Sequence, residues 1–171
     1  MSAPVALPQI SYTALGFDAA FMASLHEYGF AAVVDHPLNS DRVARIYGEW
    51  LAFFSSGEAA GFRMDPVKQD GYFSLREAEH AKGFVERDFK EYFQFYPWGR
   101  CPESLQADLA SHFDAAVDLG AELLSCIARS LPEAVTTELT EPLRDMIQGS
   151  EQSMLRVLHY PPVPVGRPVL R

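Results

Sequence analysis

Two polar side chains near the end of the chain have the types and the spacing needed to hold a carboxylate. Arg156 and Tyr160 lie four residues apart in an extended segment that ends at Pro161. Alternate side chains of a β-strand share a face, so both are expected on the side that also carries Met154 and Leu158. A guanidinium and a phenol on one wall can bind a carboxylate through hydrogen bonds. The alternative is a buried tyrosine with one hydrogen bond and an arginine at the rim, and the sequence leaves both interpretations open.

A His-x-Asp sequence, the first half of a facial triad for ferrous iron, occurs at His112 and Asp114. It lies within the most regular helical pattern of the chain, where side chains two residues apart point about 200° apart. These two side chains cannot chelate one ion, so we predict a boundary position for His112 and a solvated Asp114. No other histidine forms a His-x-Asp or His-x-Glu pair, and no Arg-x-Ser occurs. The sequence therefore predicts no metal ligand and no catalytic residue.

Composition is that of an ordinary globular domain. The 171 residues are 48% hydrophobic and 22% charged, which suits one domain with a sizeable core. A net charge of −9 without any Lys/Arg cluster argues against a nucleic-acid partner. No signal peptide or long apolar span is recognisable, and two cysteines do not make a disulfide framework. A cytoplasmic protein with reduced cysteines is expected.

Hydrophobic spacing predicts an α+β chain, with a helical layer and a few strands. Helices are predicted at 17–28, ending at Gly29; from Asn39 or Ser40 onwards; from Pro102 to Pro132; and at 141–148. Strands are predicted at 30–34, 71–73, 88–96 and 153–160, and Ile10 is a candidate edge-strand residue. The compact apolar run at 30–34 is expected to be a buried strand.

Two of these elements carry specific expectations about burial. The inner face of the second helix is predicted to consist of Val43, Ile46, Tyr47, Trp50, Leu51 and Phe54. In the strand at 88–96, one side carries Phe89, Glu91, Phe93 and Phe95. We expect its aromatic rings to pack and its charged groups to stay solvated.

The order of several short motifs resembles that of the isopenicillin N synthase-like iron(II)/2-oxoglutarate-dependent oxygenases. The motifs are Tyr28-Gly29-Phe30 with Asp35-His36-Pro37; Gly71-Tyr72, Glu79 and Lys82-Gly83; Asp88-Phe89-Lys90-Glu91-Tyr92-Phe93; the long helix; and the final Tyr160-Pro161-Pro162 strand. Each motif is common by itself. Together, however, the motifs cover nearly the whole chain in the order seen in that family. The match departs at Leu158, where many members of that family carry Asn.

The resemblance implies a helix-rich N-terminal region at 1–152, and at 153–171 the first strand of a jelly-roll core. In the family that core carries a His-x-Asp pair, a distal His and an Arg-x-Ser, which this sequence does not contain. Iron(II) and 2-oxoglutarate are implied as cofactors of the intact family, and neither is expected to bind tightly to this chain alone. Arg156 and Tyr160 are implied contacts to the carboxylate of 2-oxoglutarate or of a small-molecule substrate.

Two functions of different classes follow from the sequence. The first is the N-terminal segment of an iron(II)/2-oxoglutarate-dependent oxygenase, an oxidoreductase acting on a small molecule, inactive by itself because metal ligands are absent. The second is a non-catalytic binding module whose exposed final strand, 154–158, pairs with another chain or with a second copy. No nucleic acid or membrane is expected as a partner of either.

Overall fold

A computed structural model describes residues 6–77 and 89–163 and contains mixed helices and strands with two open sheets. The α+β prediction is confirmed at this level. The strands are β1 (Gln9–Ser11), β2 (Ala32–Val34), β3 (Gly71–Phe73), β4 (Glu91–Phe95) and β5 (Leu155–His159). The helices are α1 (Phe17–Tyr28), α2 (Ser40–Ser56), α3 (Glu103–Ser130) and α4 (Glu133–Thr136), with short 3-10 helices at Glu58–Phe62 and Leu143–Met146. The motif residues Glu79, Lys82, Gly83 and Asp88 lie outside the described residues.

Two compact units divide the chain. One comprises Met1–Leu38 and Asp114–Ser150, and the other comprises Asn39–Phe113 and Glu151–Arg171. Among the helices of the described ranges, none is long and apolar enough to cross a bilayer.

The first unit is built on α1, the later part of α3 and a two-stranded parallel sheet. Ile10 of β1 stands opposite Val33 of β2 in that sheet. Ile10 packs in a buried cluster with Phe17, Phe21 and Cys126. The prediction for α1 is confirmed, including its end at Gly29, whose φ of 79° a residue with a side chain would rarely adopt.

Two predictions in this unit need correction. The predicted strand at 30–34 is reduced to Ala32–Val34, and it is half-buried because β1 is its one partner among the described strands. The predicted helix at 141–148 is instead the 3-10 helix Leu143–Met146. Pro142 cannot donate a backbone hydrogen bond, and its carbonyl accepts from Asp145, three residues on, at 2.9 Å.

The second unit is built on an antiparallel sheet in the order β3-β4-β5. The central pairs of this sheet join Tyr72 to Phe93 and Phe93 to Val157. Trp50 and Phe53 of α2 pack on Phe93, with ring centroids 4.8 and 6.0 Å away. The strands predicted within 88–96 and 153–160 are confirmed as β4 and β5, with the narrower bounds Glu91–Phe95 and Leu155–His159.

Helix α2 begins as predicted, because the Asn39 side chain accepts a hydrogen bond from the backbone of Arg42 at 2.9 Å. Its inner face is narrower than predicted. Ile46, Trp50 and Phe53 are buried, whereas Tyr47 is 71% and Leu51 is 52% exposed. The buried residues follow the i, i+4, i+7 spacing of one helix face. Val43 and Phe54 are half-buried beside them, so of the predicted inner face only Tyr47 and Leu51 lie on the surface.

The start of β3 is fixed by an ion pair whose carboxylate is buried. Asp70 is 1% exposed and accepts from the backbone N–H of Arg100 at 2.8 Å and from its guanidinium at 3.2 Å. Burial alone would raise the pKa of Asp70, but the bonds and charge of Arg100 outweigh it and lower that pKa. The same guanidinium donates to the carbonyl of Arg63 at 2.9 Å, so it ties the turn before β3 to the turn after β4.

Substitution of Gly71 tests how tightly this turn is packed. Gly71 has a φ of 99°, and a Cβ added there would lie 2.5 Å from the carbonyl oxygen of Phe62. Gly57 has a φ of 83° but nothing within 4 Å of the added atom. We expect Gly57→Ala to lower the free energy of unfolding by roughly 1 kcal/mol, from backbone strain alone. Gly71→Ala should lower it by about 3 kcal/mol, because a backbone clash is added.

Urea denaturation of both variants supplies the measurement. Equal losses of stability would show that the turn at Gly71 relaxes freely, contrary to the close approach described.

Candidate functional site

The polar centre of the second unit lies on β4, all five of whose residues are buried. Two of them, Glu91 and Gln94, are polar and project to opposite faces of the sheet. The expectation that charged groups of this strand stay solvated is therefore wrong for Glu91. As the central strand, β4 has neighbours on both edges, and its position in the sheet was not visible in its own sequence. The available signal was a carboxylate on the same side as Phe93 and Phe95.

Glu91 joins the three strands through both of its carboxylate oxygens. Tyr72 of β3 donates its hydroxyl to Oε2, and His159 of β5 places Nδ1 2.7 Å from Oε1. Burial, together with Glu91, raises the pKa of Tyr72, so the phenol keeps its proton and acts as a donor. The His159 ring also stacks on Phe54 of α2, with centroids 5.5 Å apart. The imidazole is consequently fixed by a hydrogen bond at one edge and by an aromatic face.

On the other face of the sheet, Gln94 and Tyr92 hold Arg156. The guanidinium of Arg156 donates to the Gln94 side-chain oxygen, and the Gln94 amide nitrogen donates to the carbonyl of Gln69. The guanidinium also lies 4.5 Å above the centre of the Tyr92 ring, which stacks on Phe73. Arg156 is thus held at its position in the wall before any ligand arrives.

The two residues predicted to bind a carboxylate line the same cavity, termed here the Arg156 cavity. Its volume is about 430 Å³, and its wall comprises Val43, Ile46, Tyr47, His112, Leu155, Arg156, Val157, Leu158 and Tyr160. Tyr160 is 62% exposed, so it is not the buried tyrosine of the alternative interpretation. A carboxylate contact by this pair stays a prediction.

His112 contributes to this wall from α3. It is half-buried and Asp114 is exposed, as predicted from the helical pattern. Burial lowers the pKa of His112, and the charge of Arg42 lowers it further. The ring is therefore neutral at pH 7 and can both donate and accept a hydrogen bond. The sequence excluded His112 as half of a metal site but did not indicate its place beside a cavity.

A second cavity, the Trp50 cavity, lies along the same strand. It measures about 360 Å³ and is lined by Tyr47, Gly48, Trp50, Leu51, Phe54, Val157, Leu158 and His159. Trp50 is 1% exposed, and its indole nitrogen has no hydrogen-bond partner among the residues of 6–77 and 89–163. The sequence indicates a core position for Trp50 and a strand position for His159, but it carries no signal that either residue lines a cavity.

Within these same ranges, no group of three or more His, Cys, Asp or Glu side chains is placed to hold a metal ion. The described residues therefore do not fit an iron centre.

No family model and no curated protein matches the chain. Solved structures do match, among them the following two. One, from Shewanella oneidensis, is described as a putative oxygenase; it is 38% identical with a TM-score of 0.85, over 96% of this chain and 59% of that one. The other, from Caulobacter crescentus, is described as a putative 2OG-Fe(II) oxygenase family protein; it is 24% identical with a TM-score of 0.68, over 93% of this chain and 57% of that one. This chain thus has the fold of part of these structures and spans less than two thirds of either.

Removing the Tyr72 hydroxyl tests the bridge across the sheet. Tyr72→Phe leaves one buried oxygen of Glu91 without its donor and should lower the free energy of unfolding by roughly 2 kcal/mol. Tyr47→Phe removes the same atom from an exposed ring and should change it by less than about 0.5 kcal/mol. Chemical denaturation compares the two variants, and equal effects would show that the Tyr72–Glu91 bond adds nothing to stability.

Proposed function

We propose that this chain is the N-terminal portion of an iron(II)/2-oxoglutarate-dependent oxygenase that acts on a small molecule. The observation that carries the proposal is the likeness to the Shewanella oneidensis protein, at 38% identity over 96% of this chain. The motif order of the sequence supports the same family independently. The metal ligands of the proposed enzyme lie outside the described residues, in a jelly-roll core that β5 would begin.

In this proposal the chain contributes a carboxylate-binding wall. Arg156 supplies positive charge at an otherwise largely apolar cavity, and Gln94 and Tyr92 keep its guanidinium from swinging into solvent. Tyr160 adds a phenol donor on the same strand face. A guanidinium held in advance costs less side-chain entropy when a carboxylate binds, which favours this wall as an anchor for 2-oxoglutarate or for an acidic substrate.

The chemistry of such an enzyme belongs to its cofactors: iron and 2-oxoglutarate activate dioxygen, and 2-oxoglutarate ends as succinate and carbon dioxide. This chain's own residues bind and orient a carboxylate and exclude water from the apolar side of the wall. The described residues alone are proposed to give no iron-dependent turnover.

Succinate formation tests the assignment. The chain by itself, supplied with iron(II) and 2-oxoglutarate, should form none. A chimera in which this chain replaces the matching 59% of the Shewanella oneidensis protein should form succinate with an iron dependence like that of the intact protein. Succinate formation by the chain alone would refute the proposal that the metal ligands lie outside the described residues. A folded chimera without turnover, beside an active intact relative, would refute the family assignment.

The binding wall is tested in the same chimera. Arg156→Leu should raise the KM for 2-oxoglutarate, or for an acidic substrate, at least about tenfold, because a charged hydrogen bond is lost. Tyr160→Phe should raise it less, since a neutral donor is removed. Arg144→Leu makes the same substitution at an exposed arginine of the other unit and should leave KM unchanged. Unaltered KM values in all three variants would exclude Arg156 as an anchor.

A second candidate function, strand-mediated association, is favoured by the exposed edge of the sheet. In the described part of the chain β5 pairs with β4 alone, and Met154 and Leu158 beside its other edge are 42% and 44% exposed. An apolar strand edge can accept a strand from another molecule. We propose a second copy of this chain as that partner when no jelly-roll core is present.

Light scattering over a concentration series tests this association. We expect dimers to form as concentration rises, and Leu158→Lys to abolish them by placing a charge at the edge. Met146→Lys places the same charge at a similarly exposed apolar residue of the other unit and should leave the dimer intact. A monomer at every concentration would rule out edge pairing.

A further inference from the structure

We propose that the Arg156 cavity takes the substrate of the oxygenase, and that this substrate is a monocarboxylic acid with an apolar body. The proposal rests on the proposed oxygenase function and narrows it. Of the two carboxylates that the wall could anchor, it assigns that of the substrate rather than that of 2-oxoglutarate. Two observations carry it: the described residues of the wall hold one positive charge, and most of the others are apolar.

One cationic side chain stands in this wall. Among the nine described residues that line the cavity, Arg156 is the one arginine, and no lysine, aspartate or glutamate occurs. His112 adds no second charge at pH 7, because burial and the charge of Arg42 lower its pKa. Arg42 itself does not line the cavity, and its Nε lies 3.6 Å from a carboxylate oxygen of Asp108. The wall therefore complements one negative charge and not two.

A dianion such as 2-oxoglutarate matches this wall poorly. Its two carboxylates lie at opposite ends of a short chain, so when Arg156 binds one, the other meets aliphatic side chains, two phenols and an imidazole. Aliphatic surface offers a charged group no partner, and a neutral donor does not cancel its charge. The net charge of −9 adds a repulsion that acts about twice as strongly on a dianion as on a monoanion.

The rest of the wall suits an alkyl or aryl body. Five aliphatic side chains line it: Val43, Ile46, Leu155, Val157 and Leu158. The volume of about 430 Å³ lies in the range of small-molecule sites. An apolar body that fills this space is removed from water, and the gain in affinity grows with the apolar area that is buried. A very small anion would leave most of this surface uncovered.

The charged and apolar parts of the wall are held in a fixed relation to each other. Arg156 and Val157 are neighbours on β5, and they pair with Gln94 and Phe93 of β4. The Gln94 side chain and the Tyr92 ring hold the guanidinium of Arg156. The remaining apolar surface comes from α2 as well as from β5. A carboxylate bound at Arg156 would therefore place the attached body between this helix and this strand.

Isothermal titration calorimetry of the chain tests the proposal with octanoate, hexanoate, octanamide and 2-oxoglutarate as probes. Octanoate should bind at least about tenfold more tightly than octanamide, which has the same shape but no charge for Arg156. Octanoate should also bind roughly tenfold more tightly than hexanoate, because two more methylene groups are buried. 2-Oxoglutarate should bind at least about tenfold more weakly than octanoate, because its second charge finds no cation in the described wall.

Variants place the acid in the cavity. Arg156→Leu should reduce the affinity for octanoate to that for octanamide, whereas Arg144→Leu, the same substitution in the other unit, should preserve the difference. Val43→Phe should fill part of the cavity and weaken octanoate binding at least about tenfold. Val67→Phe, at a 91% exposed position outside the wall, should not. The comparison of probes in the unaltered chain stands even if a variant fails to fold.

Four results would overturn the proposal. Tighter binding of 2-oxoglutarate than of octanoate would assign the wall to the co-substrate. Equal affinities for octanoate and octanamide would show that the charge is not recognised. Undiminished binding by Val43→Phe would place the acid elsewhere, and a failure of all four probes to bind would remove the site.

The calorimetry and the chimera can fail separately. Each of the four results is compatible with succinate formation by the chimera, so the oxygenase function would survive them. Conversely, octanoate binding beside a folded chimera without turnover would refute the oxygenase function and leave a carboxylate-binding site without that chemistry.

Discussion

The second unit depends on the complete enclosure of one five-residue strand. Every side chain of β4 is buried, so both faces and both edges of this strand must be occupied by the rest of the unit. Hydrophobic packing of Phe93 against α2 covers one face, and the stack of Phe73 on Tyr92 covers part of the other. The polar residues Glu91 and Gln94 then need partners, and each finds them on a neighbouring segment rather than in water.

This arrangement couples the integrity of the sheet to the placement of polar groups on β5. Glu91 fixes the ring of His159, and Gln94 fixes the guanidinium of Arg156, because each pair is in register across the β4–β5 ladder. A slip of the register by one residue would move both side chains to the opposite faces. The two cavities along β5 therefore owe their polar groups to the same ladder of backbone hydrogen bonds.

Elements whose signals are local were predictable from the sequence. Helices α1 and α3, the cap at Asn39 and the strand pattern of β4 follow from spacing and from Gly, Asn and Pro at fixed positions. The burial of Glu91 and the exposure of Tyr47 were not, since both depend on segments distant in sequence. A pattern shows that a residue is apolar, but it does not show what will cover that residue. Likewise, Arg156 and Tyr160 could be assigned to one face, whereas the restraint of Arg156 by Gln94 required the pairing of strands.

The two cysteines, of which Cys126 is buried and Cys101 half-buried, have an experimental use. Burial raises the pKa of Cys101 to about 12, and burial followed by Asp18 raises the pKa of Cys126 to about 11. Alkylating reagents and peroxide attack the thiolate, so both thiols should react slowly at neutral pH while the chain is folded. Cys101 lies in one unit and Cys126 in the other. The alkylation rate of each cysteine would therefore report the rate of local unfolding of its own unit, and both rates can be measured in one sample.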